Sequence, residues 1–377
     1  MSGALSGLRI LDFSTLLPGP MATLFLAEAG AEVIKIEKPG SGDEMRSYQP
    51  RWGEDSANFN VLNRGKKSIV LDLKSEAGRE QLMPLIEGAD IIVEQFRPGV
   101  MARLGLSYDD IRALRPDIIY CSISGYGQSG PRALRAGHDL NYQGDAGLLS
   151  LSYGPQQSPV VPAALIADIA GGAYPALVNI LMALRQRDLT GEGAHIDIAM
   201  AESIFPFLYS ATAVGQVSGK YPGNGDSMTT GASPRYRLYP MADGRILAAA
   251  PLEQKFWDSF CAAIGLDPAL RDDSRNPDET GKAVAEIIAS RTASEWELVF
   301  DDADCCCSIV RTVEEAMRSD HYRARGLFNH ALVNAGGDRI TALPLPIAPA
   351  FRAAPDDVLP APALGAQTGD LTGGDKS

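Results

Sequence analysis

The first 125 residues carry short apolar blocks separated by stretches of helical character. Residues 8–13 (Leu-Arg-Ile-Leu-Asp-Phe) predict a strand, and the turn Leu17-Pro18-Gly19-Pro20 closes it. An Ala/Leu-rich helix is expected from there to about Ala29. Similar blocks at 31–37, 68–73, 89–96 and 117–124 predict four more strands. Lys38-Pro39-Gly40 ends the second of them, and residues 41–60 are polar and irregular. Ser75 is placed to cap a helix running to about Ile86, and Asp109 or Asp110 to start another. Strands alternating with helices at this spacing predict a parallel sheet covered on both faces. Right-handed crossovers then give a doubly wound, Rossmann-like α/β domain.

Further on, residues 169–184 are uncharged. A spanning helix needs about 20 apolar residues, and this run is shorter and holds Gly171, Gly172 and Pro175, so it predicts a buried core helix. Residues 194–198 predict a strand leading into another helix, and 216–235, rich in Gly, Ser, Thr and Pro, a linker or mobile loop. Strands joined by the Ala242-Asp243-Gly244 turn are expected over 236–251, then helices at 253–264, 281–290 and 294–300. The layout is a large domain over 1–200, a linker over 201–235 and a smaller α/β domain over 236–327. A C-terminal segment over 328–377 follows, with strand pattern at 331–343 and the last ten residues expected to be disordered.

Composition narrows the function. With 377 residues, 45% hydrophobic and 21% charged, the chain has the make-up of a soluble globular protein with a large core. A net charge of −13 argues against nucleic acid as a partner. Residues 1–13 lack the long apolar run of a signal peptide. The five cysteines, Cys121, Cys261, Cys305, Cys306 and Cys307, include no C-x-x-C pair. They read as reduced thiols of a cytoplasmic protein, with no metal site. Gly125-Tyr126-Gly127-Gln128-Ser129-Gly130 matches G-x-G-x-x-G, but it follows the fifth strand and runs into Pro131. No acid ends a second strand about 20 residues on, so dinucleotide binding is not indicated.

Candidate chemistry concentrates in residues 136–172. His138, one of four histidines, lies beside Asp139 in Ala136-Gly137-His138-Asp139-Leu140-Asn141-Tyr142. Asp168 is the sole charge between Gly154 and Leu184. An unpaired buried carboxylate is costly, and a helical pattern resumes after Asp168, which places it as an N-cap. That role alone would account for Asp168, as an ordinary loop position would for His138 and a helix N-terminal acid for Glu253. The sharper expectation is a His and an Asp brought to one reactive centre. His195, His321 and His330 are expected to be structural or exposed.

Three motifs carry a resemblance. Gly-His-Asp-Leu-Asn-Tyr at 137–142, Ile-Ala-Asp-Ile-Ala-Gly-Gly at 166–172 and Leu-Glu-Gln-Lys-Phe-Trp at 252–257 look like the α-methylacyl-CoA racemases, a branch of the family III CoA-transferase superfamily. The resemblance extends from residue 5 to about 364. It implies racemisation of a 2-methylacyl-CoA thioester with no cofactor beyond the coenzyme A of the substrate. One base removes the α-proton and an acid on the opposite face returns another. His138 and Asp168 would be the two bases, Asp139 and Glu253 would support His138, and backbone N–H groups after Asp168 would hold the enolate oxygen. Lys38, Lys74 and Arg103, with Arg97 in the same basic set and Gln95 and Phe96 beside them, would contact the CoA adenosine and phosphates. Gly125, Tyr126 and Gly127 would flank the pantetheine, with Tyr142 nearby.

The resemblance also implies an interlinked homodimer, its active site between the large domain of one subunit and the small domain of the other. The sister CoA-transferases keep the aspartate as a nucleophile that carries acyl and CoA in turn. His138 and the 252–257 motif favour the racemase. A thioester-binding protein without turnover is a third class, which the intact His138, Asp168 and Glu253 disfavour. The chain departs from the racemase pattern at Ala164, at Leu364-Gly365-Ala366-Gln367-Thr368 and at Cys305-Cys306-Cys307. Ala164 suggests altered acyl specificity.

Overall fold

The computed structural model describes residues 3–352 and 358–373. The chain divides into two compact units. The first comprises Met1–Ala146, Ala164–Pro206 and Asp320–Ser377, and the second Gly147–Ala163 and Phe207–Ser319. Residues 147–163 thus group with the second unit and 320–327 with the first, unlike the expected domain limits. Local pattern does not report which body a segment packs on.

The first unit is built on β1 (Arg9–Asp12), β2 (Glu32–Glu37), β3 (Lys67–Val70), β4 (Ile91–Glu94), β5 (Ile119–Ser124) and β6 (Ala194–Ala199). They form one parallel sheet in the order β3-β2-β1-β4-β5-β6. This is the doubly wound order, in which the topology reverses between β1 and β4 and opens a crevice at the strand C-termini. Helix α1 (Pro18–Glu28) is buried along its whole length, so it shows no amphipathic stripe. Residues 41–60 are more ordered than their polarity suggests: α2 (Ala57–Asn63) starts at Ser56, whose Oγ accepts the Phe59 N–H at 2.9 Å. Ser75 Oγ accepts the Gly78 N–H and caps α3 (Glu76–Glu87). The cap of α4 (Tyr108–Leu114) is Ser107, and Asp110 returns a bond to it, so neither Asp109 nor Asp110 is the cap.

Helix α5 (Asp139–Asp145) precedes the long α6 (Ile166–Thr190). By length and composition α6 is apolar enough to cross a membrane. It is only in part the buried core helix expected. Ala176, Ile180, Ala183 and Leu184 are buried, whereas Tyr174, Val178, Leu181 and Met182 are exposed.

In the second unit, α7 (Tyr209–Ser218) lies within the stretch assigned to the linker. Strands β7 (Arg237–Pro240), β8 (Ile246–Ala249) and β9 (Cys307–Ile309) form an antiparallel sheet in the order β9-β8-β7. Helices α8 (Gln254–Ile264), α9 (Pro277–Ala289) and α10 (Ala293–Phe300) complete a core around Trp257, Phe260 and Trp296. In the first unit again, β10 (Ala331–Val333) pairs with β11 (Arg339–Thr341). Part of the tail expected to be disordered forms α11 (Thr368–Thr372); residues 374–377 lie outside the described residues. Gln367 Oε1 and Thr368 Oγ1 accept the Ser68 and Val70 N–H groups at 2.7 and 3.0 Å, covering the β3 edge.

Candidate active site

His138 and Asp168, thirty residues apart, line one cleft of about 460 Å³ in the first unit. His138 immediately precedes α5, and its N–H donates to Asn141 Oδ1 at 3.0 Å. Asp168 is not an N-cap: at φ −69° and ψ −44° it is helical, in the first turn of α6. The acid that caps this helix is Asp139. Its buried Oδ1 accepts the N–H groups of Ala167 (2.7 Å) and Asp168 (3.1 Å), while Oδ2 accepts from Gln143 Nε2 (2.6 Å). Asp139 therefore supports the helix that carries Asp168, where support of His138 was expected. The Ile169 N–H donates to the Leu165 carbonyl at 3.0 Å. The N–H groups of residues 167–169 are thus committed within the protein, against the expectation that the donor just after Asp168 would hold an enolate oxygen.

Burial raises the Asp168 carboxyl to about 6, the Asp139 charge adds to the rise, and His138 opposes it. Tyr142 is pushed up to about 12 by burial and then by Asp168. After Asp168 the helix widens into a π-turn, Ile169–Ala173. A Cβ on Gly171 would lie 2.8 Å from the Met200 carbonyl oxygen, so the bare backbone lets α6 close on the end of β6.

Segments following β1, β4 and β5 supply the other walls, as the topological switch predicts. Gln95 Oε1 accepts the Gly19 N–H at 3.0 Å, and Glu94 Oε2 accepts the Phe96 N–H at 2.8 Å. Burial lifts the Glu94 carboxyl to about 7. Gly125 is required because a Cβ there would lie 2.5 Å from the Tyr142 ring. Arg97 and Arg135 bring positive charge to the wall. Arg135, with Leu16 and Met200, escaped the sequence reasoning, and Pro18 and Asn141 entered it only as parts of a turn and a motif; the position of Arg135 three residues before His138 was the available signal. Tyr126 and Gly127 do not line this cleft. Tyr126 lines a neighbouring hollow of about 250 Å³ and donates its hydroxyl to Asp145 Oδ2 at 2.6 Å. Gly127 turns the chain at φ +84°, and its N–H reaches Ser124 Oγ at 3.0 Å.

A second cavity of about 660 Å³ shares Phe96 with the first and is lined by Lys38 and Lys74. Both lysines are exposed, and Lys38 pairs with Glu44 at 2.8 Å. Arg103 is exposed and lines neither cavity, although Val100 on the same helical turn does. Two other basic residues, just before β3, are internal. Lys66 is fully buried against Asp12 (3.1 Å), with burial lowering it to about 8, and Arg64 is buried against Glu28. Glu253 is exposed in the second unit, as the N-cap residue of α8 without a side-chain capping bond. Among the described residues no cluster of three or more His, Cys, Asp or Glu is placed to hold a metal.

The model of CoA-transferase family III matches residues 5–368. The human α-methylacyl-CoA racemase is 34% identical over 331 residues, covering 86% of this chain and 82% of that protein. The acetyl-CoA:oxalate CoA-transferase of Acetobacter aceti is 32% identical over 355 residues, covering 92% and 89%. The human succinyl-CoA:glutarate CoA-transferase is 35% identical over 310 residues, covering 79% and 69%. Among solved structures, Rv3272 from Mycobacterium tuberculosis superposes with a TM-score of 0.83 at 27% identity, covering 98% of this chain and 99% of that one. A CAIB/BAIF family protein from Brucella suis gives 0.81 at 26% identity, covering 99% of each. The chain belongs to CoA-transferase family III, an enzyme family whose members include both racemases and CoA-transferases.

Proposed function

We propose that the protein is a racemase of 2-methylacyl-CoA thioesters that works by two-base proton transfer and needs no separate cofactor. The observation that carries the proposal is His138 sharing a cleft with an Asp168 whose carboxyl lies near 6. A base poised near the working pH transfers protons efficiently in both directions. In one direction His138 removes the α-proton and Asp168 returns one on the other face; the reverse reaction exchanges the roles. Arg97 and Arg135 supply positive charge where the enolate forms. CoA threads past Phe96, common to both cavities, and leaves its phosphates near Lys38 and Lys74.

The working unit in this proposal is an interlinked homodimer in which the partner's small domain contributes Glu253. The exposed apolar side chains Tyr174, Val178, Leu181 and Met182 on α6, and Tyr209 and Val217 on α7, support such an assembly. The alternative is a CoA-transferase in which Asp168 carries the acyl group, favoured by the transferases among the relatives. A single enantiomer of a 2-methylacyl-CoA, incubated in D₂O without a second acid, separates the two. The racemase gains α-deuterium while optical purity decays. Absence of both, with a hydroxylamine-trappable acyl group on Asp168, would establish the transferase.

A further inference from the structure

The loop that joins β1 to α1 carries a strained residue that the proposed reaction does not use. Leu16 is left-handed, at φ +62°. Among the described residues, every other left-handed position but Cys306 is a glycine, the residue that adopts this conformation without steric cost. A leucine here puts a side chain where glycine would leave space. Leu16 is half-buried and lines the cleft of His138 and Asp168, together with Pro18 and Met200. Pro18 and Met200 both close on Gly172, where an added Cβ would lie 3.1 Å from each. This apolar wall therefore adjoins the helix that carries Asp168.

Buried charge holds the strained loop in place. The Leu16 N–H donates to both carboxylate oxygens of Asp43, at 3.2 and 3.3 Å. Asp43 is itself buried; its Oδ2 pairs with Lys35 at 2.9 Å, and its Oδ1 accepts the Met45 N–H at 3.0 Å. Lys35 Nζ returns to the same loop and donates to the Ser14 carbonyl at 2.7 Å. The Ser14 N–H donates to the buried Asp12 at 2.9 Å. Charge-assisted bonds on either side of Thr15 thus offset the cost of a left-handed leucine. The result is a fixed wall and not a compliant one.

We propose that Leu16 limits the bulk of the acyl group the cleft accepts, and that Asp43 is the positioning residue that holds Leu16 there. The proposal rests on the placement of the acyl group beside Asp168, which the racemase and transferase readings share. An apolar wall selects by size: one methylene too many or too few changes kcat/KM about 10–200-fold.

The test uses the full-length protein and compares kcat/KM for 2-methylbutanoyl-CoA and the bulkier 2-ethylhexanoyl-CoA, read as α-deuterium uptake in D₂O and as acyl transfer to a free carboxylic acid. Leu16→Gly relieves the strain while clearing the wall. It should raise the ratio of bulkier to smaller substrate at least about 10-fold. Asp43→Asn turns one acceptor into a donor that must face either Lys35 or the N–H groups of Leu16 and Met45. That loosens Leu16, so the ratio should move the same way by less. With Leu16→Gly already present, Asp43→Asn should shift the ratio no further. A residue that served only the stability of the fold would lower both rates together and leave the ratio alone. An unchanged ratio in Leu16→Gly, or an equal shift by Asp43→Asn with and without Leu16→Gly, would overturn the proposal. The ratio is taken in whichever reaction the parent catalyses, so transfer without deuterium uptake would refute the racemase reading alone.

Discussion

Replacing Asp139 by alanine and by asparagine separates the two effects this residue has on Asp168. Its Oδ1 accepts two N–H groups from the first turn of α6, at 2.7 and 3.1 Å, and its charge helps to raise the Asp168 carboxyl. Asp139→Ala removes both effects. Ala167 is fully buried, so its N–H loses its partner without gaining water. An unmade buried bond costs about 1–3 kcal/mol, and with the weaker loss at half-buried Asp168 the total should reach about 2–4 kcal/mol. Asp139→Asn keeps an acceptor oxygen for the two N–H groups, and its NH₂ can donate to Gln143 Oε1 once that amide turns over, so its stability should stay within about 1 kcal/mol of the parent. In Asp139→Asn the Asp168 carboxyl should titrate at a lower pH than in the parent. It should remain above its ordinary value, because burial, the larger cause, persists. Urea unfolding of the three proteins and carboxylate-resolved NMR titration of Asp168 measure both quantities. Equal destabilisation by the two substitutions, or an unmoved Asp168 in Asp139→Asn, would refute the capping account.

Glu94 carries a second pH effect. Its carboxyl sits near 7 because of burial, against an ordinary 4.5. The folded state retains a proton that the unfolded chain has released, so this contribution falls as pH rises through that window. From about pH 5 to about pH 8 the parent should lose roughly 2–3 kcal/mol relative to Glu94→Gln, which still offers an acceptor to Phe96. Parallel stability curves for the two would contradict this. Lys38→Ala and Lys74→Ala should each raise the KM for acyl-CoA about 10-fold, with less change in kcat, because phosphate contacts act equally in ground and transition states. High salt should shrink that effect, and unchanged KM in both variants would move the CoA site elsewhere.

Most strands of the large sheet were legible because they are buried on both faces and read as short apolar blocks, whereas the edge strand β6 alternates, with His195 and Asp197 exposed. Every residue of β5 is buried, and Ile91 through Glu94 likewise. The order of the strands was not legible, since β4 beside β1 pairs Ile10 with Ile91, 81 residues on in sequence. Helix ends were legible where the cap is local, as with Ser75, and misassigned where it is remote. Asp139 caps α6 from 28 residues upstream, so the local pattern offered Asp168 instead. The burial of Lys66 was not legible for a related reason: it looks solvated in sequence, but its partners Asp12 and Thr23 reach it only in the fold. His138 and Asp168 were found by scarcity and context, whereas Arg135 is a common residue type marked only by its nearness to His138.

The most direct measurement of the two-base claim is enantiomer-resolved deuterium exchange by His138→Ala and Asp168→Ala in D₂O. Each substitution should slow racemisation by at least about 10²-fold. His138→Ala should still exchange the α-proton of the enantiomer that Asp168 faces, and Asp168→Ala the α-proton of the other, each without inversion. Exchange of both enantiomers by both variants, or of neither by the parent, would contradict the assignment of these two residues as opposed bases.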